Sequence, residues 1–453
     1  MLQRSVLARM VVMGALLLVL MVPLAMTRGI IVERTVRRDE VAADISRTWG
    51  DRQVLVGPIL SVPYRFVVRE AREVDRLPRD VVRVGRLMVL PATLEASGRL
   101  DPEVRARGPF SAVVYTARLV LRGRFASIDT SVIPEAAAVA WEDATVSLGV
   151  TDPRGIAPGL RLAWNGRPVD VVPGIDDVAL AATGVRARRV ALLEGQPSTF
   201  EVTIDLRGTR TLSIVPVGNE TTLRLSSSWP HPGFSGGQLP VSHEVGRDGF
   251  EARWQSGWFA RGFPAAWVRG QDDDRSRRAR AEASAIGVDL VQPVDVYQQA
   301  ERAVKYGALF IVLTLAVAFI REVTSRGLVH PVQYLFIGFG LCLFYLLLVS
   351  LAEHLAFGRA YLIASASTVL LLSWYWSGVL RAWRAGLSMG AALCVLYGYL
   401  YLLLRLEDLA LLAGASGLFV MLAVVMAMTR RVDWFRARLD PILPEAPEPT
   451  SHG

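Results

Sequence analysis

The sequence predicts a membrane α-helical bundle joined to a large all-β, sandwich-like domain on the outer, periplasmic side of the membrane. Three observations carry that reading. Long uncharged apolar runs sit at both ends of the chain. Period-two alternation fills its middle. The mean hydropathy of +0.35 lies above a typical soluble chain and below a pure membrane bundle. The 453 residues suit two or three domains rather than one.

Six uncharged stretches are long enough to matter: Val11 to Thr27, Tyr306 to Ile320, Val332 to Ala352, Ala360 to Leu380, Ala385 to Leu404 and Leu409 to Thr429. A helix needs about 20 residues to cross the hydrocarbon core. The second stretch is short, but Lys305 and Arg321 at its ends can snorkel to water. The first has a basic start at Arg4 and Arg9, no clear cleavage site after it, and an apolar run long for a signal peptide, so it reads as an uncleaved anchor.

Arginines in the short loops set the orientation. With the N-terminus inside, the cytoplasmic flanks carry Arg4, Arg9, Arg321, Arg326, Arg381, Arg384, Arg430, Arg431, Arg436 and Arg438, against Arg359 and Arg405 in the outer hairpins. Arg28, Arg34, Arg37, Arg38, Arg302 and Lys305 run the other way. They flank a long domain, and long domains translocate largely regardless of charge. The expected order is a cytoplasmic N-terminus at 1–10, an anchor helix at 11–27, a periplasmic β-rich domain at 28–303, a five-helix membrane domain at 304–429 and a cytoplasmic tail at 430–453. Both termini are then cytoplasmic.

Short connections make the later helices antiparallel neighbours, and the small-residue pairs Ala410/Gly414 and Ala413/Gly417 permit close contact. Trp374, Trp376 and Trp383 at one level, and Tyr397, Tyr399 and Tyr401 at the other, fit aromatic belts. The tail from Ala437 to Gly453 is Pro-rich.

In the middle domain Val113, Tyr115, Ala117, Leu119 and Leu121 alternate with Val114, Thr116, Arg118, Val120 and Arg122, the pattern of a half-buried strand. Val146/Leu148/Val150, Val202/Ile204/Leu206 and Leu223/Leu225 repeat it. Turn clusters at Asp152 to Gly155 and Pro230 to Gly237 punctuate the strands. A separate helix is expected around Arg37 to Trp49, and the charged run Asp272 to Arg280 reads as an exposed loop or helix end. The domain has no cysteine, because Cys342 and Cys394 both lie in apolar runs, so it holds its fold without disulfides.

The net charge of +8 is explained by membrane topology. No dense basic stripe interleaved with aromatics points to nucleic acid. Gly233-Phe234-Ser235-Gly236-Gly237 matches G-x-S-x-G, but prolines on both sides favour a turn over the strand-to-helix elbow of a serine hydrolase. The histidines His231, His243, His330, His354 and His452 form no metal-binding motif. His330-Pro331 suits a helix start, and Glu407-Asp408 a solvated turn. Glu353 and His354, at the outer end of the third apolar run, are the candidate functional polar pair. They could relay protons or bind a ligand, or they could serve an interface or packing role.

Several segments carry a resemblance. They are Gln292 to Tyr297, Ala300 to Tyr306, His330 to Leu335, Phe344 to His354 and Thr429 to Trp434 in the membrane region. Glu95 to Arg99, Trp229 to Pro232, Trp254 and Trp258 to Arg261 add to it from the middle domain. The chain resembles the CreD family of bacterial inner-membrane, cell envelope integrity proteins over nearly its whole length. The resemblance implies a role in envelope control, colicin tolerance and envelope integrity, with no established catalytic residues. The expectation is a non-enzymatic protein without cofactor or metal. Its partners would be membrane lipids and an envelope protein, lipid or glycan bound by the outer domain, with no nucleic acid. The alternatives are a transporter or channel subunit using Glu353 and His354, and a hydrolase around Ser235.

Overall fold

The computed structural model describes residues 6–430 except 72–77, 134–136, 177–179, 271–273, 293–295, 326–328 and 407–409. Arg4, Asp272, Arg326, Glu407, Asp408, Arg431, Arg436, Arg438, His452 and the Pro-rich tail lie outside the described residues.

In chain order, helix α1 (Val6–Trp49) precedes the long strands β1 (Gln53–Ala71), β2 (Pro78–Val89), β3 (Thr93–Arg107) and β4 (Phe110–Phe125). Shorter strands follow: β5 (Ala138–Val139), β6 (Thr145–Val150), β7 (Arg161–Trp164), β8 (Arg167–Val169), β9 (Val171–Pro173) and β10 (Gly184–Ala187). Next come β11 (Ser198–Thr209), β12 (Thr211–Ile214), β13 (Glu220–Ser227), β14 (Pro232–Gly236), β15 (Ser242–Gly246) and β16 (Gly249–Gly257). The single turn α2 (Trp258–Arg261), β17 (Ala266–Val268), α3 (Asp274–Ser284) and β18 (Ile286–Leu290) complete the β-rich part. The remaining helices are α4 (Val296–Lys305), α5 (Gly307–Ser325), α6 (Pro331–Ala352), α7 (Phe357–Val379), α8 (Trp383–Arg405) and α9 (Ala410–Thr429).

Contacts divide the chain into two compact units, Met1–Arg37 with Val294–Gly453, and Arg38–Pro293. The anchor and the helix expected near Arg37 are one element, α1. No proline falls between Thr27 and Trp49 to break it. It stops where Gly50 takes φ +139, and a Cβ at Gly50 would meet the Arg207 carbonyl.

Among the described residues the β unit consists of two sheets and no barrel. The larger runs β14-β18-β12-β1-β6-β10-β9, with β2, β5 and β17 branching from it, and the other runs β15-β16-β13-β3-β4-β11-β7-β8. Most pairings are antiparallel, while β1–β12 and β3–β13 are parallel. Inward residues of both sheets, among them Leu55, Leu119, Leu148, Ile204, Leu225 and Ile286, join one buried core, which gives the sandwich-like arrangement. The alternation in β4 was legible because its Leu119 and Leu121 face this core. Its outward Arg118 and Arg122 pair with Asp205 and Glu201 directly opposite on β11, each at 2.9 Å. Within the same unit, Val41, Ile45 and Trp49 of α1 recur every fourth residue and pack on Ala112 and Val114 of β4.

Two expectations change here. The Pro230 to Gly237 segment is not only a turn, because β14 pairs residue by residue with β18. The charged run near Arg280 is helical, and it is not wholly exposed. Arg277 is 2 % exposed, with its guanidinium 4.8 Å from the centre of the Trp267 ring.

In the helical unit, α1, α6, α7 and α8 are each long and apolar enough to cross a membrane. A fifth span results if α4 and α5, bent by 45° at a short break, count as one. The second apolar stretch corresponds to α5, which follows α4 across that bend. Helix α9 covers the sixth stretch. Tyr399 of α8 donates its hydroxyl proton to the Ala413 carbonyl and fills the space beside Gly417, so the small residues of α9 receive a tyrosine. The aromatic belts are partly core. Trp374 and Trp383 are exposed, but Trp376 is buried against Tyr334, and Tyr397 is buried.

Candidate functional site

Helix α6 begins with a capping box. His330 Nδ1 accepts from the Val332 amide at 3.3 Å, and Gln333 Oε1 accepts from the His330 amide at 2.9 Å, with Pro331 in the first turn. This is the structural role expected of His330-Pro331. At its other end α6 closes on Glu353, whose amide stays bonded to the Leu351 carbonyl. Because the chain turns there, Glu353 and His354 part. The Glu353 side chain is only 12 % exposed, whereas His354 is exposed, and no hydrogen bond joins its imidazole to another described residue.

Glu353 is held by two other helices. Arg34 Nε of α1 lies 3.3 Å from its Oε1, and the Tyr297 hydroxyl of α4 donates to the same oxygen at 3.3 Å. Tyr297, Ala300, Ala303 and Val304 form the buried stripe of α4, which places the phenol. One turn away, Glu301 faces Arg28 at 3.9 Å and Lys305 at 3.3 Å. A carboxylate shared by a guanidinium and a phenol fastens three segments at one level.

A second buried carboxylate had no visible signal in the sequence. Glu322, near the end of α5, is 1 % exposed and accepts from the Tyr334 hydroxyl at 2.5 Å and the Val329 amide at 2.9 Å. Adjacent to Arg321 at the end of an apolar run, it reads as an interfacial residue.

In the β unit, the Ser235 backbone pairs with Gly287, and no hydrogen bond connects its hydroxyl to His231 or His243 among the described residues. His243 instead lies edge-on to Phe234, 5.2 Å between ring centres. The described residues contain no group of three His, Cys, Asp or Glu side chains that could hold a metal ion.

The same unit carries ligand-sized depressions, among them one at Trp164, Arg167 and Arg188 and two that bear on a binding role. A groove of about 530 Å³ on the open sheet face is lined by Arg99, Arg118 and Arg224 with Asp101, Asp205 and Glu251. Its charges largely answer one another, as in Arg99–Asp101 at 3.2 Å and Arg118–Asp205 at 2.9 Å. The other, about 670 Å³, is lined by Trp258, Phe259, Arg261 and Arg280, together with Asn219 and Phe263. Helix α2 ends on Gly262 at φ 73, a left-handed stop that turns Phe263 back across Arg261. Arg261 is 2 % exposed. It donates to the Phe263 carbonyl at 3.0 Å, the Val217 carbonyl at 2.7 Å and Asn219 Oδ1 at 3.3 Å. All three acceptors are neutral, and burial pushes its guanidinium below the usual arginine range.

With this geometry in place, the relatives are informative. Residues 5–435 match the family model for "Inner membrane protein CreD". The chain belongs to the CreD family. It is 34% identical over 430 residues to the inner membrane protein CreD of Escherichia coli (strain K12), covering 93% of this chain and 92% of that one. The segments that suggested CreD include the residues the helical unit brings together, Tyr297 and Glu301 on α4 and Glu353 at the end of α6. They also include Trp258 to Arg261 at the rim and floor of the larger depression.

Proposed function

We propose that this CreD-family chain is a non-enzymatic inner-membrane protein that supports envelope integrity, with its β unit outside, both termini inside, and an envelope component bound by the β unit. The observation that carries the reading is the depression at Trp258, Phe259 and Arg261, a ligand-sized surface without paired catalytic groups. The Arg34–Glu353–Tyr297 knot then serves to hold the membrane helices in register.

The test is crosslinking in cells. A photo-reactive residue at Phe259 of the full chain should yield an adduct with one envelope protein, lipid or glycan, identified by mass spectrometry. Absence of any adduct there and at Arg118 in the open groove would remove the binding role.

A transport subunit is the second reading, and the burial of Glu322 near the end of α5 favours it, because buried ionisable groups on membrane helices commonly serve transport. It requires that Glu322→Gln or Glu353→Gln abolish function while the protein stays inserted and abundant.

A further inference from the structure

We propose that the depression at α2 docks an anionic phospholipid headgroup, with Trp258 and Phe259 seated in the interfacial layer of the bilayer. This rests on the reading that the β unit binds an envelope component, and it names the component's chemistry.

The charge pattern comes first. Arg261 and Arg280 line the depression, and among the described residues no Asp or Glu lines it with them. Among the described residues every hydrogen-bond acceptor of Arg261 is a carbonyl or amide oxygen, and its guanidinium lies 5.6 Å from the Phe263 ring. Among the described residues Arg280 likewise donates to the Gly262 carbonyl and to Ser276, and it is itself exposed. A guanidinium taken out of water is stabilised when a counter-charge is near, and neutral acceptors supply only part of that. The open groove on the sheet face is the contrast, since there arginines meet carboxylates of the same chain. The complement of the α2 depression is therefore an anion from outside.

The rings decide which anion. Phe259 is 82 % exposed and Trp258 55 %, unusual for side chains of this size on a soluble surface. They stack on each other with centres 3.9 Å apart at 28°. One face of each ring is used on the other, and the exposed remainder forms a single apolar projection beside the guanidinium groups. Phenylalanine has no polar tip to bond a glycan hydroxyl. Paired aromatic rings beside guanidinium groups are what the headgroup layer of an anionic membrane accommodates: rings at the level of the glycerol and the first methylenes, cations on phosphate.

The test uses the full chain in nanodiscs of neutral phosphatidylcholine, mixed with separate vesicles of 3:1 phosphatidylcholine:phosphatidylglycerol, and reads co-flotation. Wild type should float with these vesicles and not with pure phosphatidylcholine ones. Trp258→Ser/Phe259→Ser should lower the affinity by roughly tenfold or more, and Arg280→Gln by several-fold, with unchanged circular dichroism. Arg247→Gln, an exposed arginine outside the depression, should leave it unchanged. Equal binding to neutral vesicles, wild-type binding by the aromatic double variant, or equal loss with Arg247→Gln would overturn the proposal. Inorganic phosphate at millimolar concentration that blocks vesicle binding fully would also overturn it, by reducing the site to a free-anion site. If vesicles fail but purified peptidoglycan sacculi capture the chain through Phe259, the lipid assignment falls and the broader binding role stands. If neither binds, both fall.

Discussion

Gly338 of α6 lies against Leu20 of α1 so closely that any Cβ at position 338 would overlap the leucine side chain. Leu20 is fully buried, and its carbonyl also accepts from Cys342 Sγ at 3.6 Å one turn further along α6. The helical unit is thus assembled on a contact between its first helix and a helix more than 300 residues later.

Gly338→Val should overpack this contact and cost about 1–3 kcal/mol. Thermal unfolding of the detergent-solubilised protein measures it. Gly398→Val, at a glycine with open space around it, is the matched control and should change stability by less than about 0.5 kcal/mol.

The Arg34–Glu353 pair lends itself to a double-mutant cycle. Arg34 is 38 % exposed, so solvent screens the pair, and the coupling should be no more than about 1 kcal/mol. Tyr297→Phe should remove part of it. A coupling of zero would mean that the Arg34–Glu353 pair does not hold the helices together.

Acid sensitivity of the β unit should trace in part to Asp152. Burial raises its pKa, but the Arg154 side chain and the Asp51 and Arg154 amides outweigh that and hold the carboxyl below its ordinary value. A depressed folded pKa means the stabilisation is complete above the unfolded value of about 3.9 and is lost as pH falls through the folded one. Asp152→Asn should cost about 1–3 kcal/mol at pH 7 and flatten the loss between roughly pH 5 and 2. Stability measured across that window checks the sign.

Ser235→Ala should leave the protein's behaviour in cells unchanged, and an active-site serine probe should not label the wild type. Ser235 sits within a paired strand, where its hydroxyl meets neither nearby histidine.

Much of the architecture was legible in the sequence because it follows from burial periodicity. Leu119 and Leu121 alternate with Arg118 and Arg122 because one face of β4 meets the core and the other meets water. What escaped depends on partners distant in sequence. Pro230, Pro232 and the glycines after them read as a turn, yet β14 needs only the hydrogen bonds that β18 supplies. Trp374 and Trp376 are the same residue type two positions apart, yet the first is exposed and the second is buried, with Tyr334 of α6 against it. Glu353 and His354 are adjacent, but a helix end points neighbours apart, so the expected pair is one gripped carboxylate and one exposed imidazole. Glu322 was overlooked because its burial depends on Tyr334, contributed by the next helix.

In the proposed topology the β unit stands outside the membrane and the α7–α8 turn inside. Thr151 and Ala382 are both exposed, one in each region. With Cys342 and Cys394 replaced by serine, Thr151→Cys should react with an impermeant maleimide on cells whose outer barrier is opened, and Ala382→Cys only after lysis. Labelling of position 382 on intact inner membranes, with position 151 protected, would contradict the account.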